Sequence, residues 1–142
     1  MEFSFTERIY IEDTDPGGIV YYVNYLKFME RARTEFMRSL GFDRSATFNS
    51  ASMFVVRDLA IRYLSPAFLD DEIRVTVAVT NVKGASIGLR QNIFRGENEL
   101  VDASLSLVWV DRENLMPARL NKEMRLALRS EIFDTLAIVM QI

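Results

Sequence analysis

A chain of 142 residues, 49% apolar and 26% charged with a net charge of −3, can bury one core and has no linker or low-complexity tract, so residues 1–142 are read as a single domain. It contains no Cys and no His, which removes disulfides, thiolate nucleophiles, zinc–thiolate centres and the commonest general base. Dispersed basic residues leave no footprint for nucleic acid, and no apolar run approaches the ~20 residues that span a bilayer, so a cytoplasmic location is expected.

Residues 3 to 11 (FSFTERIYI) alternate as a strand does, and DTDPGG then breaks the pattern with turn formers. From Asn24 the period becomes helical: Tyr25, Phe28, Met29, Ala32, Phe36 and Leu40 recur at spacings of three and four, and Gly41 supplies a stop. Glu30, Arg31, Arg33, Thr34 and Arg38 occupy the other side, with Arg31 and Glu35 one turn apart, and read as a solvated or interface-rim face. After a polar connection around Thr47 to Ser52 the period is two. Leu59, Ile61 and Tyr63 form one alternating set, Ile73 to Val79 a second, Ile87 to Ile93 a third and Val101 to Trp109 a fourth. SPAFLDD, NVKGA and RGENE separate them. A helical period returns over residues 121 to 133 behind Asn121 as a cap, and the apolar tail LAIVMQI is left either to pack on a partner or to add an edge strand.

This order gives an α+β fold in which closely strung strands pair as antiparallel neighbours around one long helix, with a short helix at the C-terminus. At 1.5 Å per residue the long helix would run roughly 25 Å, enough to lie along a curved sheet. One helix cannot shield both faces of a sheet, so the remaining apolar strand faces predict self-association, a dimer at least.

The densest chemistry lies in EDTDPGGIVYYVNYLKFMERAR, residues 12 to 33. Turn chemistry alone makes its acids a turn and a helix cap. The stretch from Tyr10 to Arg33, with D-T-D-P-G-G-I-V-Y-Y followed by Y-x-x-F-x-x-x-A-R, nevertheless resembles the signature of hotdog-fold acyl-CoA thioesterases. It is most similar to the 4-hydroxybenzoyl-CoA thioesterase family and its Tol-Pal-associated branch. VVRDLAIRYLSPAFLDDEIRV and VKGASI resemble the family's following strands and hairpin, so the similarity covers roughly residues 5 to 120. That resemblance implies a curved antiparallel sheet wrapped around the central helix. It also implies a homodimer or a tetramer built as a dimer of dimers, and a peripheral link to envelope proteins.

For individual residues the resemblance implies that Asp15 is the catalytic carboxylate, acting on the thioester carbonyl as nucleophile or through water. Asp13 is a companion acid that fixes the turn. Tyr22 offers its backbone N–H to the thioester oxygen, and Lys83 with Gly84 to Ser86 lies near the nucleotide end of coenzyme A. This branch commonly has His at the position of Tyr22; a backbone donor survives that exchange, whereas substrate choice need not. The physical chemistry agrees. A thioester carbonyl is already electrophilic, so hydrolysis needs a positioned oxygen nucleophile or base and an oxyanion donor, with no metal and no cofactor. Backbone N–H groups at a helix start supply the donor, helped by the macrodipole. Gly17 and Gly18 let backbone and substrate approach closely, and Tyr21, Tyr22 and Tyr25 are placed to line an acyl pocket while Phe28 stays with the core. The substrate is then an acyl-CoA or acyl carrier protein thioester. Glu30 and Glu35, on the helix, are rival carboxylates. A hydratase is disfavoured because that chemistry relies on His, and a non-catalytic thioester-binding or interaction subunit remains the alternative.

Overall fold

The computed structural model of the protein describes residues 2–43, 49 and 51–140. Strand β1 (Phe3–Arg8) is followed by a three-residue turn of 3-10 helix (Ile11–Asp13) and helix α1 (Asn24–Ser39). Strands β2 (Ser52–Tyr63), β3 (Glu72–Val82), β4 (Ser86–Arg95) and β5 (Asn98–Asp111) come next, and α2 (Lys122–Met140) ends the chain. Of the connection expected from Thr47 to Ser52, only Asn49, Ala51 and Ser52 fall within the described residues.

All the strand pairs are antiparallel, in the order β1-β3-β4-β5-β2. Consecutive pairing therefore holds for β3, β4 and β5 but not for β2 and β3. Strand β1 occupies the free edge of β3, and residues 64–71 carry the chain across the end of the sheet, so β2 joins the far edge against β5. The N–H groups of Leu64 and Ser65 both close on Leu100 O, at 2.8 and 3.2 Å, which fixes the start of that crossing.

Helix α1 packs on β1 and β3, with Tyr25, Phe28, Met29, Ala32, Phe36 and Met37 buried as a spacing of three and four requires. Its end is a Schellman motif. Gly41 takes φ +92°, its N–H donates to Arg38 O at 2.9 Å, and Phe42 N–H donates to Met37 O at 3.1 Å. The polar side of α1 departs from the expected solvated face at two places. Arg31 reaches across to Glu7 on β1 rather than to Glu35, which pairs with Arg38. Arg33 is half-buried and donates to Gln91 on β4 at 2.8 Å. It lies midway between Met29 and Met37 at a spacing of four, so it shares their inward side.

Helix α2 starts where the sequence places it, with Asn121 Oδ1 accepting Met124 N–H at 2.8 Å. Leu120, Met124 and Leu128 bury this end, and α2 packs along β3. The backbone stays helical to Met140, so the apolar tail continues the helix as far as that residue and adds no edge strand there. Strand β2 is one of the two edges of the sheet, and its sheet-face residues Val56, Leu59 and Tyr63 stay exposed while α1 packs on β1 and β3.

Candidate active site

The turn chemistry read from DTDPGG builds a tight hairpin. Gly18 N–H donates to Asp15 O at 3.0 Å and Asp15 N–H to Ile19 O at 2.9 Å, with Thr14 and Val20 bridging just outside. Asp, Pro and Gly stand at the first, second and fourth positions that favour such a turn, and Gly18 takes the left-handed φ of +82° that follows it. The Asp15 side chain completes the loop, Oδ1 accepting Gly17 N–H at 2.8 Å. Among the described residues Oδ2 has no protein donor, so half of a partly buried carboxylate is left for chemistry.

Asp13 fixes this hairpin to its surroundings. Its Oδ2 accepts Tyr10 N–H at 2.9 Å, while its backbone O accepts Tyr21 N–H at 3.0 Å and Asn24 Nδ2 at 2.9 Å. The hairpin is thereby tied to the first residues of α1. A second tie runs to the 64–71 crossing, where Val20 N–H donates to Ala67 O at 2.9 Å and Ile19 bridges Phe68. Arg95 holds that crossing through Asp71 Oδ2 at 2.8 Å and Pro66 O at 3.1 Å, and Asp71 Oδ2 also accepts Phe68 N–H. Asp70, at φ +70°, and Asp71 are thus the turn residues that the sequence suggests.

Helix α1 begins without a side-chain cap. Asn24 N–H already closes on Tyr21 O at 2.8 Å, whereas the N–H groups of Tyr22 and Val23 meet no protein acceptor among the described residues. These are the orphan donors of a helix N-terminus. Around them stand Tyr21 and Tyr22, with ring centroids 5.1 Å apart, and Tyr63, which meets Tyr22 edge-on at 5.9 Å. In sequence Tyr63 alternates along β2 like any inward strand residue, and nothing local in the sequence points to its contacts with Tyr22 and Tyr25. Burial pushes the Tyr63 phenol up, with Tyr22 adding to the shift.

Tyr25 takes a different place from the open pocket wall expected of it. It is 3% exposed, its hydroxyl accepts Ala67 N–H at 2.9 Å, and its ring supports Tyr63 from below at 5.7 Å. Burial pushes its pKa up, partly offset by the Ala67 bond. Lys83 and Ser86 form the β3–β4 turn, with Lys83 N–H donating to Ser86 O at 2.8 Å. That turn is at the opposite end of the sheet. Ile93 is level with Val101 and Tyr63, and Ser86 lies seven residues back along β4, about 23 Å away. One chain therefore brings together Asp15, Gly17, Gly18, Tyr21 and Tyr22, and leaves Lys83 and Ser86 apart from them. Glu30 is exposed on α1 and Glu35 is engaged by Arg38.

Comparison with known proteins gives a consistent result. Residues 17–101 match the model of the thioesterase superfamily. The chain is 42% identical over 126 residues to the acyl-CoA thioesterase YbgC of Haemophilus influenzae, covering 88% of this chain and 93% of that protein. It is 39% identical over 121 residues to the acyl-CoA thioester hydrolase YbgC of Escherichia coli, covering 84% and 90%. The crystal structure of a probable thioesterase from Bartonella henselae superposes with a TM-score of 0.78 at 33% identity, over 85% of this chain and all of that one. With a helix held in an antiparallel sheet, the DTDPGG hairpin at its N-terminus and these relatives, the chain belongs to the thioesterase superfamily and has its hotdog fold.

Proposed function

We propose that the protein hydrolyses acyl-CoA thioesters to a free carboxylic acid and the thiol, with Asp15 as nucleophile or general base and Tyr22 N–H as oxyanion donor. The observation that carries this reading is the pairing of a half-engaged Asp15 carboxylate with unspent backbone donors at the start of α1, both fixed by Asp13. The thioester carbonyl sits with its oxygen toward Tyr22 N–H. Either water deprotonated by Asp15 attacks the carbonyl carbon, or Asp15 attacks it directly to form a mixed anhydride that water then hydrolyses. In both routes the C–S bond breaks, the thiolate leaves and takes up the proton released by water, and Asp15 is restored as a carboxylate. Gly17 keeps the carboxylate's near side free of a side chain, and Tyr21 with Tyr22 walls the acyl group. The activities named for the YbgC relatives support this choice over a non-catalytic binding subunit. Acyl carrier protein is the other thiol carrier that this chemistry admits. Because these substrates are products of cytoplasmic metabolism, we place the enzyme there.

A second copy of the chain completes the site in this reading. Strand β2 is a free edge whose Val56, Leu59 and Tyr63 are uncovered. Antiparallel pairing of β2 with its copy covers them and sets the Tyr63 end of one protomer beside the Phe54 end of the other. It also moves the Lys83–Ser86 turn of one copy toward the Asp15 end of the other, where the nucleotide end of a long thiol carrier needs support. A tetramer then forms as a dimer of such dimers.

The test is thiol release from a panel of acyl-CoA esters, acetyl through palmitoyl to benzoyl, by the parent and by Asp15→Asn. That variant keeps size and removes charge, and a loss of ~10² or more is expected. Equal rates would transfer the role to Glu30 or Glu35, and absence of turnover by the parent would favour the binding subunit.

A further inference from the structure

Between the middle of α1 and the sheet lies a cavity of about 160 Å³. Leu89 and Leu107 floor it, Phe54 and Val56 of β2 line its side, and Val56 is 50% exposed, so the cavity opens beside the β2 edge. Helix α1 contributes a polar part of the wall, Glu30, Arg33 and Thr34, and an apolar part, Phe36 and Met37. Arg33 is held from behind. Its Nη1 donates to Gln91 Oε1 at 2.8 Å, and Gln91, fully buried, is oriented by donating Nε2 to Met29 O at 3.1 Å and Thr76 O at 3.3 Å.

One hydrogen bond to a neutral amide leaves most of the Arg33 fork unspent, and among the described residues no carboxylate pairs with it within 4.0 Å. Burial pushes the guanidinium down from its ordinary value, and exposed Glu30, one turn back, only partly restores it. A desolvated arginine without an ion-pair partner is costly, and its planar fork matches a carboxylate. The rest of the wall is apolar, and a cavity near 150 Å³ holds one benzene ring, hence a stem of roughly four to six carbons. The ligand that satisfies both features is a short hydrocarbon stem ending in a carboxylate.

We propose that this cavity receives the far end of the acyl group, that Arg33 hydrogen-bonds a terminal carboxylate there, and that the favoured substrates are thioesters of short dicarboxylic acids. The inference rests on the thioesterase reading and names its substrate class. Arg33 lies 11 residues along α1 from Tyr22, about 16 Å, too far for such a stem within one chain. The acyl group therefore comes from the Asp15 site of the second copy, which β2 pairing sets against Phe54 and Val56.

The experiment compares kcat/KM for adipoyl-CoA, hexanoyl-CoA and 6-hydroxyhexanoyl-CoA, matched in carbon number, with the parent, Arg33→Met and Arg33→Lys, each checked for folding by its melting transition. The parent should prefer adipoyl over hexanoyl, and Arg33→Met should lower that ratio by about 10- to 100-fold, as expected for a charge-assisted contact. Arg33→Lys keeps charge without the fork and should fall between. An adipoyl-to-hexanoyl ratio at or below one in the parent, a ratio unmoved in Arg33→Met, or a preference for the hydroxyl ester overturns the proposal. Saturation-transfer NMR with free adipate reads the cavity independently of turnover. An adipate signal lost in Arg33→Met upholds the site even if no ester is hydrolysed, which would count against the thioesterase reading alone; no adipate signal in the parent overturns the site.

Discussion

Gly17 and Gly18 look equivalent in sequence, and the structure assigns them opposite liabilities. A Cβ on Gly17 would lie 3.1 Å from Asp15 Oδ1, the atom that accepts the Gly17 N–H. Gly17 does not occupy the left-handed region, so Gly17→Ala is conformationally admissible and gains up to about 1 kcal/mol from the stiffer unfolded chain. The contact must still be relieved by moving the carboxylate a few tenths of an ångström, and reacting groups tolerate such shifts poorly: about 1 Å of misplacement can cost 10² in rate. A kcat loss of roughly 5- to 20-fold with a melting temperature unchanged or slightly raised is expected. Gly18→Ala has open space but must hold φ +82°, which costs about 1 kcal/mol, or roughly 3 °C, while leaving Asp15 free to react. Paired measurement of thiol release and thermal melting reads both. Full activity in Gly17→Ala would refute the reasoning, because the position of Asp15 Oδ1 would then not matter to the reaction.

Two further predictions concern the support of the site. Tyr25→Phe leaves the buried Ala67 N–H without its acceptor and should cost about 1–3 kcal/mol in denaturant unfolding. Because burial raises the folded pKa of Tyr25 above its ordinary value near 10, its contribution is full below that pH and is lost as pH rises through the folded value. The parent should therefore lose stability steeply above pH ~10 and Tyr25→Phe less so, with Tyr63, shifted in the same direction, leaving a residual slope; identical slopes would contradict the assignment. Leu59→Arg places a charge on the uncovered face of β2, and sedimentation should show the parent as a dimer or larger and the variant as monomer. A parent that sediments as monomer would remove the second copy from the site.

Much of the fold was legible because it rests on local rules. The apolar spacing of α1, the Gly41 stop and the Asn121 cap are each decided within a turn or two of the residue concerned, and each stands where the sequence puts it. What escaped was decided by partners distant in sequence. The place of β2 beside β5 follows from which edges were free, and alternation along β2 carries no record of that. Arg33 reads as surface by residue type, yet its donor bond is to Gln91, 58 residues on. Tyr63 meets Tyr22 and Tyr25, 41 and 38 residues earlier in the chain, because the pairing of β2 with β5 brings its end beside the start of α1.

The site itself shows why the two sequence readings of DTDPGG need not compete. A turn acid spends one carboxylate oxygen on its own loop, as Asp15 does on Gly17 N–H. That same bond fixes the direction of the second oxygen, and Asp13, which makes an analogous bond to Tyr10 N–H, fixes the loop against α1. In the proposed reaction, turn formation would position the reacting oxygen, and the two roles would draw on different oxygens of one side chain. Asp15→Asn separates them. The amide oxygen can still accept Gly17 N–H, so the hairpin should persist while the nucleophile or base is gone. Loss of turnover with an intact hairpin, read by unchanged amide exchange at Gly18 and Ile19, is what this division of labour requires. Collapse of both together would mean that the carboxylate serves the fold first and that its chemical role had been inferred from a structural one.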